Sequence, residues 1–365
     1  MKTKYTILLL LLATTFAVAA KPIAKLESFQ FNPDQQKVLT PIEKSIWQTK
    51  PADRANWEAK LLATLESPKA TVDGKIIILR RLLPSVISEK SVAVVAPLLL
   101  DAKLTDDARG VLQNYDAPSA AEALLAALPK AKGKTKLGLV QSLGLCRSPA
   151  AVAAVKAALY SDSCDASLMR ACLTALGNIG DKAAGEHLLG IQGFKAFQTT
   201  LNDATLIASA HLAAEGQSGL ATKLAKKVYA GEAATTGQKN SALRCLLKAD
   251  PVASVGQVIQ VAKDNKYAKA LLGMMPAGKA CTIAFGETLI KQNALAEPGM
   301  LQLLLDREDP AAMPVVCEAL KGKLASSDRD AAMEFVGQFG ALSDLGWLLK
   351  EFKAGNKTAA EALMA

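Results

Sequence analysis

Four lysines at alternating positions form the feature of this sequence with the clearest chemical capacity. Lys130, Lys132, Lys134 and Lys136 lie in the stretch PKAKGKTK, separated only by alanine, glycine and threonine. Ammonium groups at this density attract phosphate, sulfate or carboxylate groups. Lysines elsewhere recur near predicted helix ends, where a cation complements the negative end of the helix. This cluster exceeds what helix capping requires, and we predict that it contacts an anionic partner.

The segment LGNIGD raises the question of a nucleotide-binding loop. Gly177, Gly180 and Asp181 stand between two apolar runs. A dinucleotide fingerprint needs three glycines directly after a strand, and a P-loop needs a Lys-Ser or Lys-Thr pair. The sequence has neither. We therefore interpret the segment as the bend between two helices, with Gly177 at a close helix approach and Gly180 in a left-handed helix stop.

Histidines and cysteines give little support to metal binding or nucleophilic catalysis. His187 and His211 each precede an apolar position, and His211 with Glu215 is a single i,i+4 pair, whereas a catalytic zinc needs three protein ligands. We predict structural histidines and no metal, cofactor or catalytic residue. The cysteines take unequal positions within the repeat described next, which predicts few or no disulfides; they are Cys146, Cys164, Cys172, Cys245, Cys281 and Cys317.

An internal repeat supplies the elements that would position these residues. Large apolar anchors recur roughly every 30 residues, with one poor match near Gly273; they are Leu83, Leu112, Leu143, Leu176, Leu212, Leu246, Leu304 and Val336. Twelve residues after each anchor stands another apolar residue: Val95, Leu124, Val155, Leu188, Leu224, Val258, Val316 and Leu348. Most are followed four residues later by a third: Leu99, Leu128, Leu159, Val228, Ala262, Leu320 and Phe352. This pattern predicts a helix, a short turn and a second helix in every unit.

The turns agree with this interpretation, because aspartate or serine, often followed by proline, comes just after the anchors. Such residues cap the exposed amides of the incoming helix; they are Asp116, Ser148, Asp181, Asp250 and Asp309. One hairpin cannot bury its own apolar face, so neighbouring hairpins must stack. The predicted fold is all-α, a right-handed α-solenoid of about nine stacked helical hairpins.

The hairpin containing Ala175, Leu176-Gly177 and Ile179-Gly180-Asp181 resembles the HEAT-type repeat in its short bacterial form, also called phycobilisome-lyase-like. Residues 108–144 are similar to stretches of exported HEAT-repeat proteins of planctomycete and verrucomicrobial type. The resemblance is specific from Leu83 to about Leu189. It implies protein–protein interaction, with an accessory or lyase-like enzyme role as an alternative, and it carries no shared catalytic residues.

Composition and the N-terminal residues predict the compartment and domain limits. Lys2 and Lys4 precede a short apolar run that ends in Ala17-Val18-Ala19, so residues 1–19 are predicted to be a secretory signal peptide. Residues 20–50 are predicted to be a lead-in that caps the first hairpin, and residues 51–365 to be the solenoid. The net charge is +9. Nucleic acid is not expected as a partner, because aromatic side chains suited to base stacking are not interleaved with the lysines.

These expectations together favour a non-catalytic exported scaffold, periplasmic or extracellular, that presents an extended helical surface to another protein or envelope complex. After signal cleavage no transmembrane segment is expected. Two alternatives stay open: the accessory or lyase-like enzyme role, and binding of an anionic polymer or surface along a lysine-rich edge.

Overall fold

The computed structural model describes residues 23–341 and 345–364, and within these ranges every regular element is a helix and no strand occurs. The predicted signal peptide lies outside the described residues. Contacts divide the chain into two compact units, the first ending at Ile179 and the second beginning at Gly180. Among the described helices, none is long and apolar enough to cross a membrane.

The first unit is a series of α-helices, several of which adjoin a short 3-10 turn. Its α-helices are α1 (Gln35–Trp47), α2 (Arg54–Glu66), α3 (Val72–Ile77), α4 (Glu89–Val95), α5 (Thr105–Gln113), α6 (Pro118–Ala127), α7 (Gly133–Leu145), α8 (Val152–Leu159) and α9 (Ala166–Ile179). Helix α3 continues as a π-helical turn, Ile78–Leu82. Helices α5, α7 and α9, which are alternate in the chain, pack side by side, and α6 and α8 pack against them.

The second unit follows the same rule. Its helices are α10 (Lys182–Gly190), α11 (Gln198–Ala214), α12 (Ser218–Ala230), α13 (Thr236–Ala249), α14 (Pro251–Ala262), α15 (Lys266–Gly273), α16 (Lys279–Lys291), α17 (Met300–Leu305), α18 (Met313–Lys321), α19 (Ser326–Phe339), α20 (Leu345–Lys353) and α21 (Lys357–Met364). Helix α11 packs against α13, α14 against α16, and α19 against α21. Stacking of alternate helices makes each unit solenoid-like, and the all-α prediction is confirmed.

The repeat positions read from the sequence form the core. All eight anchors and all eight residues twelve positions later are at most 1 % exposed. The poorly matching unit keeps part of the pattern: Leu272, next to Gly273, is buried, and Phe285 and Leu289, twelve and sixteen residues after Gly273, are fully buried. One prediction is wrong: Phe352, the last of the third series, is 50 % exposed.

The predicted helix caps are present in part. The side chain of Asp181 accepts a hydrogen bond from the amide of Ala184 at 2.8 Å, and Asp250 accepts one from Ala253 at 3.0 Å. Asp309 caps the 3-10 turn Pro310–Ala312 in the same way. The prediction is wrong for Asp116 and Ser148, because no side-chain cap is made where α6 and the turn Pro149–Ala151 begin.

The described part of the N-terminal lead-in packs against α3. Thr71 holds this segment through two hydrogen bonds that it donates. Its amide donates to the carbonyl oxygen of Glu27 at 2.8 Å, and its hydroxyl donates to the carbonyl oxygen of Phe29 at 2.5 Å. Phe29 is buried with Ile46, whereas Phe31 and Trp47 are 44 % and 72 % exposed. Of these four apolar residues of the lead-in, two are therefore packed and two are exposed.

Candidate anion-binding groove

Three of the four clustered lysines lie around one groove of the first unit. The groove has a volume of about 760 Å³ and separates the start of α7 from the loop that precedes α9. Lys132, Lys134 and Lys136 line the α7 side. Lys130 is exposed at the end of the 3-10 turn Leu128–Lys130 and does not line the groove. The groove therefore gathers three of the four predicted contact residues.

The opposite wall comes from the loop before α9 and from the first turn of α9, which sequence reasoning did not connect with the lysines. Ser163, Asp165 and Ser167 line this side. The side chain of Asp165 accepts a hydrogen bond from the amide of Leu168 at 2.8 Å and so caps the start of α9. The loop and the lysines are about one repeat apart in sequence, and only the stacking of α7 on α9 brings them together. We call this set, the three lysines with Ser163, Asp165 and Ser167, the basic groove.

The backbone at the start of α7 adds to the positive character of the basic groove. Lys132 is the N-cap residue, and its ammonium group, which can only donate, leaves the first amides of α7 uncapped. The first amides of an α-helix have no partner within the helix and carry a partial positive charge. The three ammonium groups and the first amides of α7 therefore both make the electrostatic potential in the groove more positive.

The lysines of the groove have no carboxylate partner among the described residues, whereas several other basic residues do. Lys182 pairs with Glu186, Lys291 with Glu287, and Lys321 with Glu318, the last at 2.7 Å. Lys132 and Lys134 are exposed and Lys136 is half-buried. The lining carries three ammonium groups and one carboxylate, that of Asp165, and the resulting net positive charge raises the local concentration of anions.

Some lysines outside the cluster interact with the ends of neighbouring helices. The ammonium group of Lys227 donates to the carbonyl oxygens of Leu188, Leu189 and Ile191 at the end of α10. Burial lowers the pKa of this lysine below its usual range. Lys263 donates to the carbonyl oxygen of Gln292 at 3.3 Å. These lysines serve helix ends, as the dipole argument predicts.

The LGNIGD segment has the geometry of a helix bend. Gly180 has a φ of +58°, in the left-handed region, and separates the end of α9 from the start of α10. The carboxylate of Asp181 accepts a hydrogen bond from the amide of Ala184, so this amide is not available to a phosphate. A close helix approach occurs one unit earlier, at Gly144, where a Cβ atom would lie 2.7 Å from the Cα of Ala175.

No cysteine is in a disulfide among the described residues, and burial makes several of the thiols poor nucleophiles. All six fall within the described residues and none forms a disulfide, which confirms the prediction of few or no disulfides. Burial raises the pKa of the Cys172 thiol to about 12 and also raises the pKa of Cys146 and Cys245. Because the thiolate is the reactive form, such thiols react slowly at neutral pH.

The histidines are half-buried and lie in the second unit. His211 lines a groove of about 400 Å³ between α11 and α13, together with Asp203, Arg244 and Cys245. Across the described residues, no group of three or more His, Cys, Asp or Glu side chains is arranged to hold a metal ion. The described geometry thus leaves the basic groove as the site with a definite chemical preference, for anions.

The chain matches no protein-family model and no curated protein.

Proposed function

We propose that this chain is an exported, non-catalytic scaffold of the HEAT-repeat kind that holds another protein against the surface of its stacked helices. The observation that carries the proposal is the stacking of alternate helices in each unit, as in α5, α7 and α9. Stacked hairpins bury their apolar residues against neighbouring hairpins. Their outer faces then form an extended surface suited to a macromolecular partner.

The chemistry of the described side chains supports binding over covalent catalysis. The thiol of Cys172 is fully buried and has a pKa of about 12, and the Cys245 thiol is 4 % exposed with a raised pKa. Neither meets the requirement for a nucleophile, which is an accessible group with a lowered pKa. This favours the scaffold over the accessory or lyase-like enzyme.

Binding of an anionic polymer is the second candidate, and the basic groove is the observation that favours it. Lys132, Lys134 and Lys136 make no ion pair among the described residues. A polymer held mainly by such charges would dissociate steeply with added salt, because exposed charges are screened within about 10 Å at 0.1 M salt. A protein partner held by packing as well as charge would depend less on salt.

Affinity isolation followed by reconstitution tests the proposal. The purified chain is immobilised and exposed to an envelope extract, with a column of an unrelated protein of equal net charge as control. Retained proteins are identified by mass spectrometry, purified and remixed with the chain. We expect one protein to form a complex of fixed stoichiometry, measured by light scattering after size exclusion.

Other outcomes would contradict the scaffold. Retention of a polyanion alone, released by moderate salt, would support the polymer candidate. Chemical conversion of an extract component by the purified chain would support an enzyme. A chain that retains nothing beyond the control column would refute both binding proposals.

A further inference from the structure

We propose that the basic groove is the docking site for an extended, acidic segment of the partner protein. This inference rests on the proposed scaffold function and gives that partner a chemical character. The segment would lie between the start of α7 and the loop before α9, with carboxylate side chains directed at Lys132, Lys134 and Lys136.

The charges of the lining residues favour a negatively charged ligand. Among the residues that line the groove, three carry an ammonium group and only Asp165 carries a carboxylate. That carboxylate already accepts the amide of Leu168 at 2.8 Å. The three lysines form no ion pair with it and are available to outside carboxylates, and the uncapped start of α7 adds backbone amides that favour an anion.

Size and lining favour a peptide over a small oxyanion. The groove volume of about 760 Å³ is many times the roughly 30 Å³ that one water molecule occupies in the liquid, so a single phosphate would fill a small part of it. The lining also includes the apolar side chains of Pro129, Leu137 and Leu168. A polypeptide can contact the charged and the apolar lining together, because its acidic side chains can pair with the lysines while its small apolar side chains pack against these three residues.

The spacing of the lysines suits an extended chain. Lys132 and Lys136 are four residues apart at the start of α7, which is about 6 Å along a helix axis. In an extended peptide, side chains on one face repeat every second residue, about 6.6 Å apart. Acidic residues at alternate positions would therefore meet both lysines without a change of backbone conformation.

Fluorescence anisotropy with a labelled peptide of alternating glutamate and alanine tests the docking site. The full chain is compared with the triple variant Lys132→Gln, Lys134→Gln and Lys136→Gln. Three exposed charge pairs lost together are expected to weaken peptide binding by about tenfold. A glutamine–alanine peptide of equal length should not bind.

Two matched variants make the result specific to the groove. The triple variant Lys103→Gln, Lys223→Gln and Lys323→Gln removes the same charge from exposed lysines elsewhere, and its affinity should stay within about twofold. Asp165→Asn removes the only carboxylate of the lining and keeps the helix cap, because asparagine caps as well as aspartate. Peptide binding to Asp165→Asn should tighten by about twofold.

Three results would overturn the inference. The first is equal loss of affinity in both triple variants, which would indicate attraction by net charge alone. The second is displacement of the peptide by inorganic phosphate at concentrations where chloride has no effect, which would indicate a small-anion site. The third is absence of peptide binding by the chain, provided that urea unfolding shows the chain to be folded.

The scaffold proposal and the groove assignment are tested by different results. If the partner isolated from the extract binds equally to the chain and to the Lys132, Lys134 and Lys136 triple variant, the scaffold stands and the groove assignment is wrong. If no protein is retained and the acidic peptide does not bind either, both proposals are wrong.

Discussion

The ammonium nitrogen of Lys227 lies 2.7 Å from the carbonyl oxygen of Leu189, so a lysine of α12 closes the end of α10. The same nitrogen lies 3.0 Å from the carbonyl oxygens of Leu188 and Ile191. The last carbonyls of a helix have no partner within it, and a cation there also complements the helix dipole. One side chain thereby joins two helices that are about one repeat apart in the sequence.

Lys227→Met should destabilise the chain, because it leaves three carbonyl oxygens without their donor. We expect the free energy of unfolding to fall by about 1–3 kcal/mol, measured from the shift of the urea midpoint. Lys226→Met is the matched control, since Lys226 is exposed on the same helix and its substitution should change stability by less than about 0.5 kcal/mol. Equal effects of the two substitutions would refute the capping role.

Two glycine-to-alanine substitutions should have opposite signs. At Gly144 a new Cβ would lie 2.7 Å from the Cα of Ala175, a backbone atom that cannot move aside. Gly144→Ala is expected to destabilise the chain by about 1–3 kcal/mol through overpacking. At Gly110 in α5 a new Cβ meets nothing within 4 Å, so Gly110→Ala should stabilise by about 0.5–1 kcal/mol through helix propensity. Urea midpoints measure both, and a stable Gly144→Ala variant would contradict the close approach of α7 and α9.

Thiol reactivity should divide the cysteines by burial. Cys172, Cys245 and Cys281 are buried, while Cys146, Cys164 and Cys317 are half-buried. In the folded chain the buried three should stay unreactive toward a water-soluble disulfide reagent, because the reagent cannot reach them and reaction requires the thiolate. In denaturant without reductant all six should react. A lower count there would reveal a disulfide.

Stability should decrease at alkaline pH in a way that depends on Cys172. Burial raises the pKa of its thiol from 9.0 to about 12, so the folded chain keeps a proton that the unfolded chain loses. The stabilisation from this group is complete below pH 9.0 and is lost as the pH rises towards about 12. Cys172→Ala cannot ionise at this position and should lose less stability over that range. The measurement is the urea midpoint of the unsubstituted chain and of Cys172→Ala as a function of pH. If the two midpoints fall by the same amount between pH 9 and pH 12, the raised pKa is contradicted.

Periodicity in the sequence determined the fold class and much of the core. Leu176 and Leu188 could be recognised as buried because stacked hairpins repeat the same apolar offsets, and both are fully buried. The bend at Gly180 was recognisable for the same reason, since glycine readily adopts a left-handed helix stop. The exposure of Phe352 was not predictable, because one apolar residue at the right offset does not identify the surface opposite it.

Polar contacts between repeats were decided only by the tertiary structure. Arg109 of α5 donates to the hydroxyl of Ser142 in α7 at 2.9 Å, and the buried carboxylate of Glu58 accepts the hydroxyl of Ser91 at 2.6 Å. Each pair is about one repeat apart, and their side-chain types recur at many positions without such a contact. Hydrogen bonds depend on distance and direction to within fractions of an ångström, which apolar periodicity does not specify.

The basic groove combines both levels. The sequence by itself determined that four lysines stand close together and exceed the needs of a helix end. Only the packing of α7 against α9 decided that Lys132, Lys134 and Lys136 face Ser163, Asp165 and Ser167, and that Lys130 does not. Local charge density is a property of the linear chain, whereas a groove requires two segments about 30 residues apart to be held side by side by the core beneath them.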